Sequence, residues 1–141
     1  MRAVGVDLGS ARVGVAASDP GGVLASPHSV IRRGPSHADD HRALAAIVDE
    51  VGAGVVVVGM PFSLDGSVGP AAKLVEAEVE ELREVLDVPV EVYDERFTTV
   101  TAERSLGEGG VRGRARRKVV DQAAAAVLLQ AWLEGPGARR G

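Results

Sequence analysis

Residues 2–31 read RAVGVDLGSARVGVAASDPGGVLASPHSVI. Ala3 to Leu8 has the apolar pattern of a buried strand, GSAR turns the chain, and Val13 to Ser18 gives a second strand. SDPGG is a strong turn signal, because Pro20 presets φ while Gly21 and Gly22 accept positive φ. A third strand follows from about Val23 to Ile31, so the chain opens as an antiparallel three-strand meander. Asp7 stands inside the most apolar of these strands. Ionising a carboxylate there is costly unless it meets a cation or a dense set of donors. A metal ion is one answer; a turn closed between Asp7 and Gly9 is the plainer one.

The later segments read as alternating helices and strands. Ser36 suits the cap of a helix whose apolar positions Leu44, Ile47, Val48 and Val51 recur at helical spacing. GAGVVVVGMP is an apolar run bounded by glycine, as in a strand buried on both faces. After the loop FSLDGSVG, Pro70 suits the first turn of a helix to about Asp87, with Leu74, Val79, Leu82 and Leu86 as its apolar stripe. VPVEVYDER alternates as a strand, and Thr98 or Thr99 can cap a following helix. LGEGGVRGRAR then predicts a basic loop before a last helix, from about Lys118 to Glu134, that buries Ala124, Val127, Leu128, Ala131 and Trp132. The order is βββαβαβαα. It predicts an α/β fold, with a mixed five-stranded sheet and helices on both faces. One domain is expected over 1–135, with a flexible tail over 136–141.

The chain has 141 residues, 45% of them hydrophobic and 26% charged, as in an ordinary globular domain. It has no cysteine, which removes disulfides, zinc–thiolate sites and thiol nucleophiles. No signal-peptide pattern is present, and no apolar run approaches the ~20 residues of a membrane span. A cytoplasmic protein without a membrane partner is therefore expected. The formal net charge is −4, but RGRARRK gathers Arg112, Arg114, Arg116, Arg117 and Lys118. With Arg12 and Arg96 they are the candidate grips for a phosphate backbone; a solvated loop is the bland alternative.

Three acidic sites stand at element ends: Asp7, the pair Asp94–Glu95, and Asp121. Grouped carboxylates repel one another, and a divalent cation offsets that repulsion. Each also has a plainer reading. Asp94–Glu95–Arg96 can be a solvated strand end with a local ion pair. Asp121 suits a helix first turn and can pair with Arg117. Period two sends Asp94 and Glu95 to opposite faces, so one of them at most is a main ligand. Gly9, Ser10, Asp65 and Gly66 are candidates for phosphate-cradling loops, although no Walker sequence is present. His37 and His41 lie one helical turn apart, as in a metal pair, but no third ligand is evident and a polar helix start is the simpler reading.

Four segments in order, GVDLGSARVGVAASD, VVVVGMPFSLDGSVGPAA, VYDERFTTVTAERSL and DQAAAAVLLQAWL, resemble the YqgF/RuvX family of Holliday-junction-resolvase-like nucleases. The resemblance covers about Ala3 to Leu133. It implies an RNase H-like fold that binds Mg²⁺ or Mn²⁺ and cuts nucleic acid. By motif, the ligands would be Asp7, Glu95 (with Asp94 as the alternative) and Asp121. In related resolvases the second acid ends the strand beside the first. Here that strand ends VVGMP, and Glu95 would lie two strands away, roughly 10 Å from Asp7.

The resemblance implies either processing of the 5′ end of the small-subunit ribosomal RNA precursor or Holliday junction resolution in DNA recombination and repair. Structured RNA or branched DNA is thus the expected partner, with the ribosomal small-subunit precursor and a weakly held homodimer as further possibilities. Two other classes compete. GVDLGS resembles the first phosphate loop of two-domain sugar-kinase-like ATPases, which need a second such domain. A ribosome-assembly factor that binds RNA without cutting it would keep the fold and lose the chemistry.

Overall fold

β1 (Ala3–Leu8), β2 (Arg12–Ser18) and β3 (Ala25–Arg32) form the expected meander. The computed structural model describes residues 1–98 and 113–135, with side chains except those of Phe97 and residues 113–122. β3 begins at Ala25, later than the apolar pattern of Val23 and Leu24 suggests. The amides of those two residues are drawn into the turn, where both donate to Asp19 Oδ1, at 2.7 and 2.9 Å.

β4 (Val55–Met60) and β5 (Val90–Asp94) add to the other side of β1 in parallel, giving a five-stranded sheet in the order β3-β2-β1-β4-β5. Every residue of β4 is buried, as its unbroken apolar run requires of a strand covered on both faces. One face carries Val4, Val6, Val56 and Val58 against α1 (His37–Val51) and α2 (Pro70–Val85). The opposite face carries Ala3, Val55 and Val57 against α3 (Gly113–Glu134). This is the predicted mixed sheet with helices on both faces.

Ser36 caps α1 by accepting from the Asp39 amide, and Pro70 opens α2. The buried stripe of α2 is Ala72, Val75, Glu78, Val79 and Leu82, whereas Leu74 is 75% exposed. Val79, Leu82 and Leu86 of the expected stripe are buried; in the first turns the inward positions go to Ala72 and Val75 instead of Leu74, and Glu78 is buried beside them, paired with Arg33. α3 begins at Gly113, so Gly113–Arg117 are helical where a loop was expected. After Gly113 the segment is arginine, alanine and lysine, all strong helix formers, and Gly113 sits at the very end where it costs least. The helix expected after Thr98, Arg112 and the tail at 136–141 lie outside the described residues. Among the described residues, no helix is long and apolar enough to cross a membrane.

Candidate active site

Asp7 is 4% exposed near the C-terminal end of β1. The turn that follows is closed by main chain, since the Gly9 amide lies 3.1 Å from the Asp7 carbonyl and 3.0 Å from that of Arg12. A Cβ on Gly9 would stand 2.6 Å from the Arg12 carbonyl oxygen, so glycine is required there. By strand alternation Asp7 shares the sheet face of Ala3 and Gly5, under α3.

Asp94 and Glu95 part company at the end of β5. Asp94 caps a single 3₁₀ turn (Glu95–Phe97) by accepting from the Arg96 amide. It also accepts from Arg96 Nη2 at 2.6 Å and from Nε at 3.0 Å. The Arg96 hydrogen bonds hold the Asp94 carboxyl below the usual carboxylate range, against a small opposing effect of burial. Glu95 instead turns inward and is 5% exposed. Burial, and then the neighbouring Asp94 charge, push its carboxyl above the usual range.

Glu95 is directed by a gap in β4. A Cβ built on Gly59 would lie 2.7 Å from Glu95 Oε1 and 3.0 Å from Cγ, so the side chain occupies the place of the missing one. The last β1–β4 pair is Val6↔Val58, and Asp7 and Gly59 come next on their strands. Adjacent strands stand about 4.8 Å apart. The Glu95 side chain thus lies over β4, the strand next to β1, on the sheet face that Asp7 shares.

The register of α3 fixes where the backbone of Asp121 lies. A Cβ on Gly5 would meet Leu129 Cβ at 2.7 Å and the Ala125 carbonyl at 3.0 Å, so the helix sits tight on that glycine. Farther along α3, Gln130 accepts from the Ala25 amide at 2.8 Å and donates to the Val23 carbonyl at 3.0 Å. Trp132 Nε1 reaches Glu91 Oε1 at 3.3 Å, near the start of β5. The helix thus runs opposite to β1. Asp121 is one turn before Ala125, about 6 Å along the axis, and Asp7 is two residues beyond Gly5, about 6.6 Å along the strand. The backbone of Asp121 accordingly stands at the Asp7 end of the sheet. The N-terminal turns of α3, which carry Arg114, Arg116, Arg117 and Lys118, lie at that same end. Arg112 falls outside the described residues.

Among the other candidates, Arg12 is half-buried on β2, two residues before Gly14, the partner of Asp7. By alternation it shares the Asp7 face. Arg96 lies over the Phe62 ring at 5.8 Å, and its Nη1 would be 3.1 Å from a Cβ on Gly66, whose φ is +87°. Asp65 Oδ1 accepts from the Ser67 hydroxyl at 2.7 Å and from its amide at 2.9 Å, closing the turn that seats Arg96. Gly9 and Ser10 line a cavity of about 500 Å³ that reaches Ser36 and Ala71, in the first turns of α1 and α2.

Two residues were not singled out in the sequence. Gly59 had a signal, because a glycine inside an apolar strand often marks close approach by another group. Arg33 had none beyond its charge. Its Nε donates to the Gly9 carbonyl at 3.0 Å, while Nη1 and Nη2 grip Glu78 at 2.6 and 2.8 Å. It ties the turn after Asp7 to α2.

The set of Asp7, Glu95 and, by backbone position, Asp121 is all carboxylate oxygen, the chemistry that hard divalent ions select. The family model for RuvX, described as Holliday junction resolvase, matches residues 1–135. A Mycobacteroides abscessus protein named "Putative pre-16S rRNA nuclease" is 46% identical over 134 residues, covering 94% of this chain and 81% of its own. Its namesake from Rhodococcus jostii is 48% identical over 138 residues, covering 94% and 77%. Thermus thermophilus RuvC in complex with Holliday junction substrate superposes with a TM-score of 0.59 at 18% identity, covering 100% of this chain and 96% of that one. That likeness shows the RNase H-like fold. With its family model and close relatives in agreement, the chain belongs to the RuvX family of Holliday junction resolvase-like nucleases.

Proposed function

We propose that the protein is a divalent-metal-dependent nuclease whose ligands are Asp7, Glu95 and Asp121, and whose substrate is the precursor of 16S ribosomal RNA in the bacterial cytoplasm. The observation that carries this reading is Glu95 laid across Gly59 toward Asp7. A carboxylate buried at a cost, and aimed at another, makes chemical sense when a cation joins them. Mg²⁺ or Mn²⁺ fits the oxygen donors, and such an ion supplies the Lewis acidity that activates water and stabilises the leaving oxygen.

The chain's own residues do the rest. Asp94 is occupied with Arg96 and serves to seat the turn that presents Glu95. The basic N-terminal turns of α3, together with its positive dipole end, draw a phosphate to the same end of the sheet. Arg12 and Arg96 flank it. The precursor RNA is favoured by the names of the relatives at 46% and 48% identity.

Cleavage of a labelled RNA spanning the precursor 5′ leader, beside a four-way DNA junction, tests the reading in Mg²⁺ and in Mn²⁺. The wild-type chain should cut the RNA, while Asp7→Asn, Glu95→Gln and Asp121→Asn each reduce cutting to background with native circular dichroism. Asp94→Asn should retain a measurable rate. Preferential, paired cleavage of the junction by a dimer would move the substrate to branched DNA. RNA binding without any cutting would make the protein an assembly factor.

A further inference from the structure

His37 and His41 stand one turn apart at the start of α1, and the fold supplies the third ligand that the sequence hides. α2 brings in Glu78, so that one donor atom from each of His37, His41 and Glu78 lies within 4.8 Å of the others. His41 Nε2 is 2.7 Å from Glu78 Oε2, with these side chains only 4% and 5% exposed. His37 is half-exposed and lines the same cavity as Glu78, which gives an ion a path from solvent. Glu81, one turn along α2, meets His37 Nδ1 at 3.1 Å and holds that ring toward α2.

We propose that His37, His41 and Glu78 form a second metal site, for a borderline transition-metal ion such as Zn²⁺, that clips α1 to α2. Two imidazoles with one carboxylate make a donor set that such ions favour and Mg²⁺ does not. In a tetrahedral site with bonds of about 2.0–2.1 Å, neighbouring donors stand about 3.3 Å apart. The His41–Glu78 contact must then open by roughly half an ångström as the ion replaces the shared proton.

Arg33 is the competing cation, since it forks onto both Glu78 oxygens at 2.6 and 2.8 Å and reaches Asp40 at 3.2 Å. Its Nη1 shares Glu78 Oε2 with His41 Nε2, at 2.6 and 2.7 Å, so an ion at that oxygen takes the place of the His41 hydrogen bond and not of the Arg33 fork. Arg33 therefore remains in place as the partner that orients the ligand carboxylate. Two carboxylates, Glu78 and Asp40, meet the one guanidinium of Arg33, and Glu81 adds a third at His37, an imbalance that a dication corrects. Water or Glu81 completes four ligands.

The test uses untagged, metal-free, full-length protein in which Asp7→Asn and Glu95→Gln silence the carboxylate site. It is titrated with Co²⁺ in excess Mg²⁺. One equivalent should bind with the intense visible absorption of a four-coordinate ion, Zn²⁺ should displace it, and Zn²⁺ should raise the melting temperature by several degrees. His37→Ala, at an exposed position, should weaken Co²⁺ binding at least tenfold and remove the Zn²⁺ shift. A weak six-coordinate spectrum, or binding indifferent to His37→Ala, overturns the proposal. If the double variant fails to fold, the same titration of the wild-type chain against His37→Ala decides, because a second site requires a His37-dependent equivalent.

Discussion

Gly59 makes room for a carboxylate, and the demand on it is steric. Gly59→Ala puts a methyl 2.7 Å from Glu95 Oε1, 3.0 Å from Cγ and 3.2 Å from Cδ, so the whole end of the side chain must move. Displacing an outer partner of a metal ligand typically costs about 10–100-fold in activity or metal affinity. We expect that loss in cleavage assays, with a folded variant by circular dichroism. Glu95 itself is held at a cost to stability. Its carboxyl keeps a proton to higher pH in the native state than in the unfolded chain, so between those two values the native state binds more protons. Stability contributed by this group is full at low pH and falls as pH rises through that window. Metal-free Glu95→Gln should therefore melt higher than wild type near neutral pH, and the gap should close on acidification toward the ordinary glutamate value. Calorimetry in chelator from about pH 5 to pH 8 reads it. Asp7 was legible because a carboxylate inside an apolar strand demands an explanation. Which of Asp94 and Glu95 turns inward was not, because it depends on a 3₁₀ turn that bends one acid inward while the other caps it.

Among the elements, α3 is the one whose placement matters most for the site. Its contact with Gly5 is partly backbone, through the Ala125 carbonyl, so no rotamer change relieves an added methyl. Gly5→Ala should destabilise the protein by about 1–3 kcal/mol, the usual range for overpacking, and shift the helix that carries Asp121. Urea unfolding reads the first effect and cleavage the second, and both should appear together. The same helix exposes a limit of the sequence reading. Four glycines in the segment before Arg114 suggested a loop through Arg116, whereas the arginines and alanine after Gly113 extend the helix. In α2 the expected Val79, Leu82 and Leu86 are buried, but Leu74 is not, and the buried Glu78, whose partner Arg33 is 45 residues away, was not foreseen. Apolar periodicity cannot see a buried ion pair.

Across the whole molecule, charge is divided by location more than by sum. The net value of −4 says nothing of one sheet end, where Arg12, Arg96 and the first turns of α3 gather. Neutralising Arg114, Arg116 and Arg117 together should weaken RNA binding and lower the slope of log affinity against log salt by about two to three, one contact being worth roughly 0.7–0.9. Filter binding at several salt concentrations tests this, and an unchanged slope would remove these residues from the interface. The order of elements was enough to read the meander, the mixed sheet and helices on both faces, because connection rules leave few alternatives. Which residues converge at one end was less legible, since that depends on glycine gaps and helix register. The fastenings of α3 have a mechanical outcome. Gln130 and Trp132 bolt the helix at the end remote from Asp7, so the backbone of Asp121 rides on an arm measured from those fastenings, with Ala125 against Gly5 as its nearer support. Nine residues separate Gln130 from Asp121, about 13 Å, and a swing of about 5° displaces that arm by roughly 1 Å. Packing of Ala125 on Gly5 thereby sets how near the backbone of Asp121 comes to Asp7, the approach on which the proposed metal site depends.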